Sequence, residues 1–383
     1  MKKHVADYWI LILAVGLSAF GIIMIQSASF YATMNTISGP YYYAQSQLEK
    51  GLLGVAAMIF LWNFNYTYIK RFHVGLISWL VCLGLLGAVL LIGSGAHGAQ
   101  RWLSFGSFSI QPSDIAKLSI VILLADMFSR QLNNIYKIGW LIAAVGFTGI
   151  FCVLIMMQPN LSTTICLLLI MFAIMFAAGL RWQWIAFAGV GVVLLGIVLI
   201  AAAPYRIRRL EAFLNPWLEP LGSGYQLIQS LYAIGSGGFM GVGIGQSMQK
   251  LLYIPFAESD FIFAIVAEEI GFVGCIILFG AYCLLIWRGI LVAQRSTDPF
   301  AILLATGITS MIAIQTIINL CVVTGAIPPT GIPLPFISYG GTSLIVMLAS
   351  VGILLNLSQY TELPPQRRML KYKLKKDSIW HNN

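Results

Sequence analysis

Long apolar runs, broken by short polar stretches, set the pattern of this chain. Ten can be drawn, near 8–27, 51–66, 74–94, 113–130, 138–157, 162–179, 184–203, 261–287, 300–323 and 342–358. Each comes close to the roughly 20 residues with which a helix crosses a bilayer. The runs are continuous and rich in Leu and Ile, without the alternation of a barrel strand. Backbone groups left unpaired in hydrocarbon cost several kcal/mol each, so helices are predicted. Only Gln158-Pro159-Asn160-Leu161 separates the fifth run from the sixth. The connection from Pro204 to Asp260, between helices 7 and 8, is far longer than the usual roughly 2–8 residues between helices. It holds aromatics and half-apolar stretches such as Gln226 to Ile234, so short interfacial or re-entrant helices over the outer mouth are predicted. No repeat of fixed period is visible, which argues against a repeat-built transporter.

Composition agrees with that pattern. Of the 383 residues 59% are hydrophobic and 9% charged, and the mean hydropathy is +0.87. A soluble domain carries about 25% charged residues, so two or three soluble domains are excluded. The fold class predicted is an all-α polytopic membrane protein with ten transmembrane helices and one large extracytoplasmic loop at 204–260. Residues 1–360 form the membrane domain, and 361–383 a basic cytoplasmic tail. The net charge of +9 is unevenly spread: fifteen of the 22 Lys and Arg fall on the side of the termini and seven on the other. The positive-inside rule then puts both termini in the cytoplasm. The tail is expected to rest on anionic lipid headgroups, and no nucleic-acid partner is needed. The six cysteines all lie in apolar runs without a CxxC pair, and the four histidines are scattered, so neither a disulfide framework nor a zinc site is expected. The first run is long for a signal peptide and reads as a retained span.

Chemistry concentrates on the outer side. Asp114 and Lys117 stand three apart on one helix face, just inside a span that Pro112 can start. They are either a local ion pair or part of a polar cavity that receives an anionic headgroup. Arg206, Arg208 and Arg209 oppose the positive-inside trend and read as an interfacial anchor or a phosphate-attracting rim. The run Gly235-Ser-Gly-Gly-Phe-Met-Gly241-Val-Gly243-Ile-Gly245 fails as a nucleotide loop, since no Gly-Lys follows and no strand precedes it. A backbone that closely approaches its neighbours or a phosphate fits it better. Asp260 sits between a polar loop and the run Phe261-Ile-Phe-Ala-Ile-Val. A carboxylate at such a boundary is partly desolvated and suits a general base, while a helix cap is equally open. Glu268 and Glu269 lie about two turns deeper, where one could pair with a buried cation. Gln315 and Asn319, four apart, suit hydrogen bonding between helices. No Ser-x-x-Lys or Gly-x-Ser-x-Gly nucleophile is present.

Several segments together resemble the SEDS family (shape, elongation, division and sporulation), which includes RodA, FtsW and SpoVE. They are Gln111-Pro-Ser-Asp-Ile-Ala-Lys117, Asn215-Pro-Trp217, Gly224-Tyr-Gln226 with Gln229-Ser230, Ala233-Ile-Gly-Ser-Gly-Gly238 and Gln249-Lys250. Ser259-Asp-Phe-Ile-Phe-Ala264 with Glu268-Glu269, and Pro328 through Ser338-Tyr339-Gly-Gly341, continue the likeness over roughly residues 7–360. The resemblance implies a ten-helix bundle in the cytoplasmic membrane of a bacterium that polymerises lipid II into glycan strands on the outer face. It puts the family's essential aspartate at Asp260, as general base. Arg101, Lys117 and Lys250 are candidates to balance the pyrophosphate charge. Gln111, Asp114, Ser338 and Tyr339, within the motifs, are further substrate-site candidates. A divalent cation, Mg or Mn, could share the charge, although no dedicated metal cage is visible. The implied partner is a class B penicillin-binding protein. Asp114 stands where the family usually has Glu, Asn160 where it often has Asp, and Phe256 where it has Glu after Pro255, with Glu258 nearby. Gln26-Ser-Ala-Ser29 and the Pro204–Pro216 stretch resemble the division branch. A lipid II flippase and a non-catalytic scaffold for the transpeptidase are the competing readings, and an outer-face Asp260 favours the enzyme.

Overall fold

The computed structural model describes residues 4–34, 39–71, 73–96, 99–106, 108–130, 138–201, 204–222, 224–251 and 253–361. The basic tail beyond residue 361 and the side chains of Arg206 and Arg209 therefore lie outside the described residues. The chain runs α1 (Tyr8–Thr33), α2 (Tyr42–Asn63), α3 (Thr67–Arg71) and α4 (Val74–Ile92), then three short strands. These are β1 (Ser94–Ala96), β2 (Ala99–Phe105) and β3 (Phe108–Ile110), antiparallel in that order. Next come α5 (Pro112–Ser129), α6 (Ile138–Met157), α7 (Leu161–Ala177) and α8 (Trp182–Ala201). The long connection carries α9 (Pro204–Leu214) and α10 (Tyr225–Ser236), and the chain finishes with α11 (Ile262–Arg295), α12 (Pro299–Val323) and α13 (Gly341–Ser358). The molecule is mostly helical, and among the described residues six helices (α1, α4, α6, α11, α12 and α13) are long and apolar enough to cross a membrane. It is a multi-pass membrane protein.

Local chemistry explains several boundaries. Asp7 caps α1 by accepting the Trp9 N–H at 3.2 Å, and Asn160 caps α7 by accepting the Thr163 N–H at 3.2 Å. Pro112 occupies the first turn of α5. Helix α2 begins at Tyr42, well before the run near 51, because Tyr42–Lys50 is too polar to register as apolar yet packs against α13. The small sheet was not expected, and it departs from a purely helical fold. Two of its strands are only three residues long, which leaves little hydrophobic period to read.

The larger departure is inside α11, which breaks at Gly271 (φ 65°, ψ −169°). The glycine-rich loop enters the break. Phe272 N–H donates to Gly238 O at 2.9 Å and Val273 N–H to Phe239 O at 3.1 Å; Val242 and Gly243 N–H donate to Glu268 and Glu269 O at 3.0 Å each. The loop thus satisfies backbone groups that the interrupted helix leaves open. A Cβ at Gly237 would overlap the Ala267 carbonyl, and one at Gly241 the Glu269 carbonyl. Gly237 and Gly241 serve close backbone approach, with α11 as the neighbour approached.

Candidate active site

Asp260 lies at the end of the long connection, one residue before Phe261, the N-cap of α11. Its Oδ1 accepts the Ser259 hydroxyl at 2.8 Å. The buried Asn319 of α12 donates to the backbone carbonyls of both Asp260 and Ile332 at 2.8 Å each. One amide thereby ties the Asp260 turn to the 328–340 segment. Gly331 lies beside the carboxylate, where an added Cβ would sit 3.6 Å from Asp260 Oδ2. Tyr339 N–H donates to Glu258 O at 2.8 Å, a second tie between the same two segments. Glu258 is itself buried, and that burial, with the charge of Asp260 adding to it, pushes its carboxyl above the usual carboxylate range.

One turn before Asn319 on α12, Gln315 faces the second cluster. Asp114 and Lys117 form an ion pair at 2.7 Å, and Lys117 also donates to Gln315 Oε1 at 2.8 Å. Asp114, Lys117 and Gln315 are buried at 5%, 3% and 0% exposure, values low enough to make any loss of pairing expensive. Gln315 and Asn319 do bond between segments as their spacing predicted. What their spacing could not show is that they carry Lys117 and the Asp260 turn on successive turns of one helix.

Lys250 is placed elsewhere. Its ammonium pairs with Glu269 Oε1 at 3.2 Å and donates to Ser27 Oγ of α1 at 3.1 Å, and Ser27 donates to Glu269 Oε1 at 2.5 Å. Glu268 accepts the Met248 and Gln249 N–H groups at 3.0 and 3.3 Å, together with the Ser247 hydroxyl. This buried network fastens the 247–250 turn to α11 and α1. Arg101, on β2, donates from Nε to Gln158 O at 3.2 Å and also to Pro159 O, bracing the α6–α7 turn. Gln111 bonds Thr342 Oγ1 through its N–H at 3.1 Å and Ser113 Oγ through its side chain at 3.1 Å. Ser338 Oγ accepts the Leu334 N–H at 2.8 Å. Tyr339 lies against Tyr43 and Lys50 of α2. Asp114, Lys117, Ser338, Tyr339 and Asp260 are thus linked through α12 and the 328–341 segment, while Lys250 is held in the network with Glu269 and Ser27. Among the described residues no group of three or more His, Cys, Asp or Glu side chains gathers to hold a metal.

Sequence reasoning passed over Gln47 and Lys50 as site residues. Gln47, fully buried on α2, donates to Ser338 O at 3.1 Å and accepts the Gly340 N–H at 3.2 Å. The signal available was a polar residue four before Gly51 and seven before Gly54, in line with the small residues of the buried face of α2.

Residues 8–363 match the FtsW/RodA/SpoVE cell cycle protein family. The chain is 42% identical to stage V sporulation protein E of Bacillus subtilis over 365 residues, covering 94% of this chain and 99% of that protein. It is 36% identical to a probable peptidoglycan glycosyltransferase FtsW of Trichlorobacter lovleyi over 367 residues, covering 94% of each. Among solved structures it resembles a chain of a peptidoglycan synthase complex described for its structural coordination of polymerization and crosslinking. There the TM-score is 0.76 and the identity 28%, covering 92% of this chain and 97% of that one. The rod shape determining protein RodA of Thermus thermophilus aligns with a TM-score of 0.68 at 25% identity, over 93% and 98% of the two chains.

Proposed function

The chain belongs to the FtsW/RodA/SpoVE family, and on that premise we propose that it is a peptidoglycan glycosyltransferase that polymerises lipid II at the outer face of the cytoplasmic membrane. The observation that carries the reading is the convergence of the Asp260 turn and the buried Asp114–Lys117 pair on successive turns of α12. In this chemistry the acceptor sugar hydroxyl attacks the anomeric carbon of the donor. A C–O bond forms, the bond to the pyrophosphate oxygen breaks, and undecaprenyl pyrophosphate leaves. Asp260 takes the hydroxyl proton as general base. Lys117 and Lys250 already hold carboxylates, so each would have to loosen an existing pair in order to hold the departing pyrophosphate; Arg101 is the third candidate. Asp260 and the buried, unpartnered Asn319 Oδ1 and Thr330 Oγ1 are the oxygen donors that would hold a Mg or Mn ion, which would supply positive charge to the pyrophosphate. We read α1, α2, α4, α5, α6, α7, α8, α11, α12 and α13 as ten crossings, with both termini in the cytoplasm and 204–260 outside. A class B penicillin-binding protein is the partner this reading calls for, in keeping with the synthase complex in which a structural relative occurs.

The test is polymerisation of lipid II by the purified chain, with and without the transpeptidase. Asp260→Asn keeps the shape and removes the charge, and should lower the rate on the order of 10²–10⁴-fold. Near-normal glycan synthesis by that variant would remove Asp260 from the base role. Transport of lipid II across vesicles, without polymer in either condition, would favour the flippase.

A further inference from the structure

Lys50 lies one turn after Ser46 on α2, against the start of α13. Its ammonium donates to Ser46 Oγ at 2.8 Å, lies 3.5 Å from the Tyr339 hydroxyl and sits 5.2 Å from the centre of the Tyr339 ring. Its stem passes over Gly341, where a Cβ would overlap Cδ of the lysine. The side chain is half-buried, and no described carboxylate lies within ion-pair distance of it. Lys70, Lys117, Arg130, Lys250 and Arg288 differ in this respect, since each pairs with a carboxylate.

A partly desolvated ammonium held only by neutral oxygens and a ring face keeps most of its charge available to an anion. The surrounding frame is fixed: Gln47 holds both Ser338 and Gly340, and Tyr43 packs edge-on against Tyr339 at 4.8 Å. Tyr339 is also the residue whose N–H holds the turn that bears Asp260. The available cation is therefore anchored to the same segment as the candidate base, whereas Lys117 and Lys250 are neutralised within their own networks.

We propose that Lys50, with the Tyr339 hydroxyl, forms a binding position for the pyrophosphate of the lipid-linked sugar. This rests on reading the chain as a polymerase of such sugars. Binding of undecaprenyl pyrophosphate and of undecaprenol to the purified full-length chain separates the phosphate contribution from that of the lipid tail. The natural chain should bind the pyrophosphate more tightly than the alcohol. Lys50→Gln should weaken pyrophosphate binding on the order of tenfold while undecaprenol binding stays unchanged, and Lys50→Arg should retain most of the affinity. Unaltered pyrophosphate affinity in Lys50→Gln would overturn the inference and leave the polymerase reading standing. Equal weakening for both lipids would overturn it in favour of a packing role. A natural chain that binds the two lipids alike would overturn both.

Discussion

Lys117 is held by two partners of different kinds, the carboxylate of Asp114 and the neutral amide of Gln315, in a site almost closed to solvent. Deleting its ammonium leaves a buried carboxylate without compensation, so Lys117→Ala is expected to lower stability by about 3–5 kcal/mol. Adding Asp114→Ala should recover part of that loss in thermal unfolding, and strictly additive losses would argue against direct coupling. Glu258 offers a test with a defined sign. Its carboxyl is raised above 4.5 by burial and by Asp260, so the folded chain holds that proton more tightly than the unfolded chain does. The stability this contributes is present below pH 4.5 and is lost as pH rises through the raised folded-state value. Glu258→Gln removes the titration, so the variant should gain stability relative to the natural chain as pH increases over that window. A difference independent of pH would contradict the assignment. At this scale the sequence was legible where partners are local: Asp114 and Lys117 share a helix face three residues apart. Lys50, and the tie of Glu258 to Tyr339, escaped because Tyr339 lies 80 or more residues from both in the chain.

Elements were legible wherever a long apolar run met a capping residue or a proline. Pro112 marks a helix start that the structure realises, and there Asn160 and Asp7 also cap α7 and α1. Gly271 was not legible, because the hydropathy of Ile270-Gly271-Phe272 is that of an unbroken helix and carries no record of φ. The glycine run at 235–245 signalled close approach without naming the element approached. The four backbone hydrogen bonds across the α11 break make the pairing specific, at about 0.5–1.5 kcal/mol each. Gly241 sits at φ 79° with the Glu269 carbonyl where its Cβ would be. Gly241→Ala should therefore destabilise by more than the roughly 1–3 kcal/mol of left-handed strain alone. Gly245→Ala, at φ 83° with open space around it, should cost only the strain. Equal unfolding midpoints for the two variants would show that the approach to α11 is not what the run is for.

For the whole molecule, the apolar runs predicted the helices but hydropathy could not settle how they share a core. The buried polar side chains do that work of selection: Gln47 binds α2 to the segment before α13, Gln315 binds α5 to α12, and Ser27 binds α1 to α11. In the proposed orientation, fifteen of the 22 basic residues lie on the cytoplasmic side with the termini, as the positive-inside rule asks. A general-base role puts Asp260 on the opposite side, where the glycan of the proposed reaction is built. Leu221 is 90% exposed within the long connection, and Gln294 is exposed near the far end of α11. In a chain whose six cysteines are replaced by alanine, Leu221→Cys should react with a membrane-impermeant maleimide in intact cells. Gln294→Cys should react only after permeabilisation. Asp260 closes the long connection just before α11 and Gln294 lies near the far end of that helix, so the two labels test whether connection and far end face opposite sides. Protection of Leu221→Cys in intact cells with labelling after lysis would turn Asp260 toward the cytoplasm, away from the polymer it is proposed to build.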